Sequence, residues 1–449
     1  MLVGIILVAA VFAAGVVGWR IATGGDDGNA ERDRLTWSSL AFVDRVSGDA
    51  VFVDSGGEVI GESLANGRTG SVHGVGGVLT LVNSQRAAVL PEPGSNEPPL
   101  VVQLPRGATV LPVSGDDVTY LVAGAAAGGD VVVIDPAAGE QHDIGALVDG
   151  LLTATPSMRV DSLRTNADGS ILAIADATNF QTIVIQPHAA EPVFLPDQPV
   201  AVGDDLVATS QTVGTQGDVA LVALDRSTRA VVPTEIPAGG VFDGDAVVMV
   251  SYDGGVFRVE PGDDRADRIG AITIPAGGTI AWARPALGGQ RLVVGGDTFE
   301  AVVDLEGQIV FSTTFTGVIE PVVPDPGWAC VPVGGSDRSH SIVDLDTGEQ
   351  LADLTGVRIL DVADQGCAVL VDRNGVTEIV TPEGVATLGP VAATEIGPGG
   401  RSVVRITGDG LTELLLLGDD LTVTETIDLT EIVARVGDNP LVAFVESPD

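Results

Sequence analysis

The residues best placed to do chemistry are three carboxylates in one short segment, SIVDLDTGEQLADL, at residues 341–354. Asp344, Asp346 and Glu349 follow one another closely, and clustered carboxylates can hold a metal ion or act as general acid and base. A calcium loop needs the spacing D-x-[DN]-x-[DN]-G, which this segment lacks. Asp side chains at turns accept hydrogen bonds from their own backbone. We therefore predict a turn between two strands here rather than a metal or catalytic site.

Other signatures of enzymes are missing from the sequence. It contains neither a G-x-S-x-G nucleophile elbow nor an H-E-x-x-H zinc motif. All 22 basic residues are arginine, which excludes the lysine of a P-loop and the lysine of a Schiff-base enzyme. The four histidines are far apart in the sequence: His73, His142, His188 and His340. The sequence therefore predicts no catalytic residue, no cofactor-binding residue and no metal ligand.

The net charge excludes one class of partner. The chain carries 62 acidic and 22 basic residues, which gives a formal net charge of −40. A nucleic acid would meet a surface of its own sign, so we expect no nucleic-acid binding. Such acidity is typical of a solvated surface that keeps a protein soluble; the alternative is cation binding.

The acidic turn at 341–354 belongs to a series of ten hairpin signals, each with two strand-like runs joined by a polar turn. Their turns are spaced by a mean of about 40 residues, the size of one four-stranded propeller blade. We predict an all-β β-propeller of seven to ten such blades, with two packed β-domains as the alternative. The hairpins lie at 50–64, 86–104, 131–144, 181–195, 219–236, 254–269, 300–315, 341–354, 376–388 and 412–427.

Val-rich runs precede most hairpins, and continuous apolar runs are typical of strands buried on both faces. We therefore predict them to be the inner strands of the blades. The segment DNPLVAFV at 438–445 is a similar run without a following hairpin. Pairing it with the first blade would remove unpaired sheet edges, although SSLAFVD at 38–44 competes for that place. The other runs lie at 168–175, 243–250, 288–295, 365–371 and 399–406.

The two cysteines, Cys330 and Cys367, lie 37 residues apart, close to one repeat. Each belongs to a predicted inner strand, so they should occupy equivalent places in neighbouring blades. In an exported protein they could form a disulfide that joins those blades. The alternative is a pair of buried free thiols.

The first residues predict a membrane anchor. Residues 2–19 form an uninterrupted apolar run followed by Arg20, and 18 residues are about enough to span a bilayer. A cleaved signal peptide is the rival interpretation, but no basic side chain precedes the run. We predict a transmembrane signal anchor at 1–23, a flexible tether at 24–36 and a propeller at 37–449, outside the cell membrane.

The hairpin at 341–354 resembles the repeat of quinoprotein-type propellers, in which an apolar–Asp–turn–Thr-Gly pattern precedes the outer strand. Asp344, Thr347 and Gly348 match that pattern, and Asp135 and Gly139 match it in the third hairpin. The resemblance implies a quinoprotein-like or WD40-like propeller fold. The docking tryptophan of those enzymes is replaced, with Leu351 or Ala352 in its place, so no quinone site is carried over.

Two classes of function remain. The anchor, tether and repeats favour an extracytoplasmic module that binds or scaffolds a cell-envelope protein or glycan. The layout resembles the N-terminal region of large actinobacterial surface proteins, a resemblance that implies a bacterial exported protein. The alternative is an exported enzyme such as a glycan hydrolase or lyase, which would need Arg, His and carboxylates converging at the propeller axis.

Overall fold

The described part of the protein is built almost entirely of antiparallel sheets, most of them made of strands that are consecutive in the chain. The structure is a computed structural model. It describes residues 35–64, 67–75, 78–90, 93, 98–104, 108–114, 119–125, 131–135, 140–143, 160–167, 170–176, 180–186, 192–213, 216–276, 278–315, 322, 324, 326–334, 340–437 and 439–446. The predicted anchor at 1–23 and nearly all of the tether at 24–36 lie outside the described residues.

The described part of the chain contains 39 strands and a short helix. Strands of the first five sheets are β1 (Trp37–Val43), β2 (Ala50–Val53), β3 (Val59–Ser63), β4 (Ser71–Val75), β5 (Val78–Val82), β6 (Arg86–Leu90), β7 (Leu100–Gln103), β8 (Ala108–Ser114), β9 (Thr119–Ala125), β10 (Val131–Asp135), β11 (Glu140–Asp143), β12 (Val160–Thr165), β13 (Leu172–Asp176), β14 (Gln181–Ile185), β15 (Val193–Pro196), β16 (Gln198–Val202), β17 (Leu206–Val213), β18 (Gln216–Ala223) and β19 (Thr228–Thr234).

The remaining elements complete the series. They are β20 (Pro237–Asp243), β21 (Ala246–Ser251), β22 (Gly255–Val259), β23 (Asp267–Ala271), β24 (Ile280–Ala286), β25 (Arg291–Gly296), β26 (Phe299–Asp304), β27 (Ile309–Thr314), β28 (Cys330–Gly334), β29 (His340–Asp344), β30 (Gln350–Asp353), β31 (Arg358–Ala363), β32 (Ala368–Arg373), β33 (Val376–Thr381), β34 (Gly384–Gly389), β35 (Ala393–Ile396), β36 (Ser402–Ile406), β37 (Thr412–Leu417), β38 (Val423–Asp428), α1 (Thr430–Val436) and β39 (Leu441–Glu446).

These strands form ten sheets, and each sheet contains one of the ten predicted hairpins as its last two strands. The second sheet runs β4–β7, the third β8–β11, the fourth β12–β15, the fifth β16–β19, the sixth β20–β23 and the seventh β24–β27. The eighth has three described strands, β28–β30, and the ninth and tenth run β31–β34 and β35–β38. A series of four-stranded meanders is the architecture of propeller blades.

The first sheet joins the two ends of the described chain. Its order is β39, β1, β2 and β3, and β39 pairs with β1 from Leu40 opposite Phe444 to Val43 opposite Leu441. Both segments that competed for the inner place are therefore used: the last strand lies innermost, and 37–43 lies second. This pairing covers an edge that β1 would otherwise expose.

Neighbouring sheets pack face to face through apolar clusters. From the fourth sheet to the tenth, one such cluster lies between each sheet and the next. Two further clusters lie between the tenth and first sheets and between the first and second sheets. Their members are mostly Val, Leu, Ile and Ala of the second and third strands. Because these strands contribute to clusters on both faces, their sequences read as continuous apolar runs.

The prediction that the Val-rich runs are the inner strands is wrong for the five runs that precede hairpins, although the run at 438–445 does lie innermost. Those five runs coincide with the second strands, for example β13, β21 and β25. The inner position belongs to the first strands, since β12, β16, β20 and β24 pack against one another in sequence. First strands contain Pro, Gly, Ser or charged residues between short apolar stretches, so no continuous apolar run marks them.

Glycine allows two of these inner strands to approach closely. A Cβ atom added to Gly239 in β20 would lie 2.2 Å from the backbone oxygen of Ala283 in β24. A side chain at this position would therefore push the two strands apart.

Within the described residues, α1 is short, and no helix there has the length and apolarity to cross a membrane.

Candidate functional site

The inner strands of four consecutive sheets share an irregularity. The ladders of β12, β16, β20 and β24 shift register near the start of each inner strand, which leaves one residue unpaired. The unpaired residues of the last three are Val200, Ala238 and Ala281. Bulges of this kind bend a strand and expose backbone groups, and they are frequent beside functional sites.

A cavity of about 660 Å³ lies against these four strands. All three bulge residues line it, so the irregular backbone forms part of its wall. We call this cavity the inner-strand pocket. Its lining consists of Arg164, Phe180, Asp197, Gln198, Pro199, Val200, Ser210, Ile236, Pro237, Ala238, Gly239, Tyr252, Ala281, Trp282 and Arg284. The volume is within the range of ligand sites.

Arg284 contributes a cation to the pocket from β24. Its Nη1 donates a hydrogen bond of 3.0 Å to the backbone oxygen of Leu163, in β12 of the fourth sheet. No ion pair of this arginine is found among the residues that the structure describes. Burial lowers the pKa of the Arg284 guanidinium to about 10, because desolvation disfavours the charged form. The group nevertheless stays cationic at neutral pH.

Arg164 in β12 is the counterpart of Arg284. Each is the third residue after the bulge of its strand. Arg164 Nη1 also donates to the Leu163 oxygen, at 3.0 Å, and Nη2 makes a long contact of 3.5 Å to the oxygen of Ala238. Its Nε is buried and has no acceptor in the described part of the protein. Because both guanidinium groups contact one carbonyl oxygen, they are neighbours.

A second buried polar atom in the pocket has no hydrogen-bond partner among the described residues. Ser210 in β17 is only 8% exposed, and its Oγ has neither a donor nor an acceptor nearby. Buried polar atoms are normally paired, so such an atom calls for a ligand or water. With Arg164 Nε, the pocket wall holds two such atoms.

Aromatic rings and one carboxylate complete the wall. The chain has only four Trp and two Tyr, yet Trp282 and Tyr252 both line this cavity together with Phe180. Phe180 and Tyr252 are 72% and 45% exposed as residues, so a ligand can contact them. Burial, followed by the charge of Asp218, raises the pKa of the Asp197 carboxyl above its ordinary value.

Two carboxylates form a separate cluster on the inner strands of the ninth and tenth sheets. Burial and the nearby charge of Asp361 raise the pKa of Glu395 in β35 to about 8. Burial also raises the pKa of Asp361 in β31, although a hydrogen bond from the Val362 amide opposes the shift. Neither residue lines the inner-strand pocket. At neutral pH the pair holds a proton, since two buried carboxylates side by side resist ionising together.

The two cysteines form a disulfide in the structure. Cys330 is the first residue of β28, and Cys367 directly precedes β32, so they occupy nearly equivalent places in the eighth and ninth sheets. Their Cα atoms are 4.9 Å apart, within the range that a disulfide requires. The bond therefore joins two neighbouring blades.

The acidic segment at 341–354 forms the turn between β29 and β30. Oδ1 of Asp344 accepts hydrogen bonds from the amide of Thr347 at 2.7 Å and from its hydroxyl at 2.9 Å. Gly348 supplies the left-handed conformation, with a φ of 75°. Oδ1 of Asp346 pairs instead with Arg291 of the seventh sheet at 3.0 Å. Asp54 and Asp304 accept backbone hydrogen bonds in the same way in the first and seventh sheets.

The histidines do not converge within the described part of the chain. His73 lies in β4, the inner strand of the second sheet, where its Nε2 is 3.2 Å from the Ser71 hydroxyl and burial lowers its pKa. His142 and His340 lie on the backbones of β11 and β29. His188 lies outside the described residues.

Sequence reasoning missed the inner-strand pocket. Arg284 interrupts the short apolar stretch AWARPA just before a Val-rich run, whereas Arg164 lies in the mostly polar segment DSLRT. An arginine within an apolar strand pattern is a usable signal, because burying a cation is costly unless it has a role. That four inner strands would bring such residues together is a tertiary property, which no local pattern contains.

Comparison with known proteins adds only distant structural similarity. No family model matches the chain, and no curated protein matches its sequence. Among solved structures, the computationally designed Ika8 protein aligns with 15% identity and a TM-score of 0.42, over 70% of this chain and 97% of that one. BamB from Moraxella catarrhalis aligns with 14% identity and a TM-score of 0.34, over 68% and 95%. The C-terminal WD40 domain of Sif2 aligns with 10% identity and a TM-score of 0.40, over 78% and 96%.

Proposed function

We propose that the protein is a membrane-anchored, extracytoplasmic binding module that receives part of a partner molecule in the inner-strand pocket. The observation that carries the proposal is the pocket wall itself. Two neighbouring arginines without carboxylate partners in the described structure, two orphan polar atoms and exposed aromatic rings meet in one cavity. A cavity in which a few polar groups converge among apolar and aromatic side chains is the usual form of a binding site.

The location outside the membrane rests on two observations. The apolar run at 2–19 favours an anchor with the remainder of the chain on one side. The disulfide between Cys330 and Cys367 favours an oxidising compartment, because such bonds are rare where thiols are kept reduced. Together they support a single-pass protein whose propeller lies outside the cytoplasm, where a cell-envelope partner would meet it.

Site-specific photo-cross-linking of the full chain in its native membrane tests the proposal. A benzophenone amino acid replaces Phe180 at the pocket or, as a control, Val385, which is 56% exposed on the ninth sheet. Either probe is then combined with Ala281→Trp, which fills the pocket from an exposed bulge position. We expect an adduct from position 180 alone, and we expect Ala281→Trp to abolish it. Equal adducts from both positions, or an adduct insensitive to pocket filling, would contradict a binding role for the pocket.

A second candidate function is an exported glycan hydrolase. The observation in its favour is the Glu395–Asp361 pair, since glycoside hydrolysis needs one protonated and one ionised carboxyl group, and burial raises the pKa of Glu395 to about 8. The test is release of reducing ends from cell-wall glycan by the full chain. Activity that disappears in both Glu395→Gln and Asp361→Asn would support this function, and no release by the wild-type protein would exclude it.

A further inference from the structure

We propose that the inner-strand pocket recognises a peptide carboxylate, with the apolar side chain beside it lying on the aromatic part of the wall. This inference rests on the proposed function, because it names the group that enters the same pocket. Arg284 and Arg164 would bind the carboxylate. Phe180, Tyr252 and Trp282 would contact the apolar side chain.

The charge of the pocket favours an anionic ligand. Carboxylates are abundant in this chain, and several described arginines outside the pocket are paired with one. Arg258 contacts Asp243 at 2.7 Å, and Arg405 contacts Glu413 at 2.6 Å. Arg284 is partly buried like those two arginines, but within the described structure its guanidinium meets only a backbone oxygen. An unpaired buried cation is costly, and an anionic ligand would remove that cost.

The number and position of the N–H donors allow both arginines to bind one carboxylate. Arg284 and Arg164 each have five N–H donors, and each Nη1 contacts the same Leu163 oxygen at 3.0 Å. The two Nη1 atoms are therefore at most about 6 Å apart, close enough for one carboxylate to accept from both arginines. The Nε of Arg164 and the hydroxyl of Ser210 also lack a partner among the described residues, but both atoms are buried, so the carboxylate is assigned to the Nη groups.

The rest of the wall favours a peptide carboxylate over two other anions. Asp197 also lines the pocket, and burial, followed by the charge of Asp218, raises its pKa. Its carboxylate would repel a doubly charged phosphate more strongly than a singly charged carboxylate. An acidic sugar needs a partner for each of its ring hydroxyl groups, whereas the six Pro, Val, Ile and Ala residues of the wall offer no side-chain partner. Asp197 can instead accept a peptide N–H, and the rings can cover an apolar side chain.

The peptide group has two sources, which the probes distinguish. Calorimetric titrations of the full chain in detergent would use Ac-Ala-Phe with a free C-terminal carboxylate, together with its C-terminal amide. A second pair, Ac-Phe-Asp-amide and Ac-Phe-Asn-amide, places the carboxylate on a side chain. Methyl glucuronide serves as the acidic sugar. These comparisons need no variant, so a failure to fold cannot obscure them.

We expect the carboxylate member of at least one peptide pair to bind about tenfold or more tightly than its neutral partner, the effect of a charge-assisted hydrogen bond. Arg284→Met and Arg164→Met should each abolish that difference. Arg258→Met, which removes an arginine already paired with Asp243 outside the pocket, should leave it unchanged.

Three results would overturn the inference. They are equal affinities for charged and neutral peptides, binding of the glucuronide alone, and an unchanged preference in Arg284→Met. Each of these is compatible with a cross-link from position 180 that pocket filling removes. The failure of this inference is thereby distinguishable from failure of the proposed function.

Discussion

The indole Nε1 of Trp37 donates a buried hydrogen bond of 2.8 Å to the hydroxyl of Ser402, a residue 365 positions further along the chain. The Trp37 ring also meets Phe444 of β39 edge to face, with ring centroids 5.1 Å apart. One side chain thus links the first sheet, the last strand and the tenth sheet. The pairing of the chain ends is therefore fixed by a directional contact as well as by the ladder between β1 and β39.

Trp37→Phe should destabilise the fold by about 1–3 kcal/mol, because it leaves the buried Ser402 hydroxyl without its donor. Denaturant unfolding would be measured for the wild type, Trp37→Phe, Ser402→Ala and the double variant. This double-mutant cycle gives the coupling energy between the two side chains. A coupling energy near zero would show that the hydrogen bond contributes nothing to closure.

Removing the disulfide should lower stability by about 4 kcal/mol on loop-entropy arithmetic, since Cys330 and Cys367 close a loop of 37 residues. The variant Cys330→Ala with Cys367→Ala should melt below the oxidised wild type. Dithiothreitol should lower the melting temperature of the wild type and leave that of the variant unchanged. A wild-type protein that is insensitive to reductant and carries two titratable thiols would contradict the bond.

Stability should fall as the pH rises from 4.5 to about 7, in part because of Glu300 in β26. This side chain is 3% exposed, and burial raises its pKa to about 7, although the amide of Gly334 donates to it at 2.8 Å. Between its unfolded pKa near 4.5 and its folded pKa, the folded state binds more protons than the unfolded state, so rising pH favours unfolding. The full effect is at most about 3 kcal/mol.

Glu300→Gln keeps the hydrogen bond to the Gly334 amide and removes the charge. Unfolding free energies at pH 5 and pH 8 should therefore show the variant to be more stable than the wild type at pH 8 only. Glu395 changes stability in the same direction, so the difference between variant and wild type isolates Glu300. An equal difference at both pH values would contradict burial of an ionisable group here.

Gly239→Ala should destabilise the protein by about 2 kcal/mol or more, because its new Cβ would meet the Ala283 oxygen at 2.2 Å. It should also widen the inner-strand pocket, which Gly239 lines. The control is Gly408→Ala, where nothing lies within 4 Å of the new Cβ. Thermal melting of both variants makes the comparison, and equal melting temperatures would show that β20 and β24 are not closely packed.

The repeat was predictable from the sequence because its signal is local. Nine of the ten hairpin segments contain an apolar run, a turn with Asp or Gly, and an outer strand, as in β29 and β30 around Asp344. Asp344 satisfies the backbone of its own turn, so residue type and position together reveal the element. The same repeat length predicted that Cys330 and Cys367 occupy equivalent positions in neighbouring blades.

The inner strands and the pocket were not predictable in the same way. The segment PAGG at Ala238 contains a Gly-Gly pair that signals a turn, yet it lies in a strand, and the bulges at Ala238 and Ala281 depend on how neighbouring strands pack. Arg284 and Leu163 are 121 residues apart, so their contact arises only when the fourth and seventh sheets meet. Long-range pairing of this kind has no counterpart in hydrophobic periodicity.

The central claim is that Arg164 and Arg284 bind a carboxylate in the inner-strand pocket, and their own guanidinium resonances test it most directly. The full chain with ¹⁵N-labelled arginine would be titrated with Ac-Ala-Phe and Ac-Phe-Asp-amide, and the Nε–H signals assigned with Arg164→Met and Arg284→Met. We predict that at least one of these probes shifts the signals of Arg164 and Arg284, that its neutral counterpart does not, and that ion-paired Arg258 and Arg405 stay unchanged. Uniform small shifts of all arginine signals, or none at Arg164 and Arg284, would contradict the claim.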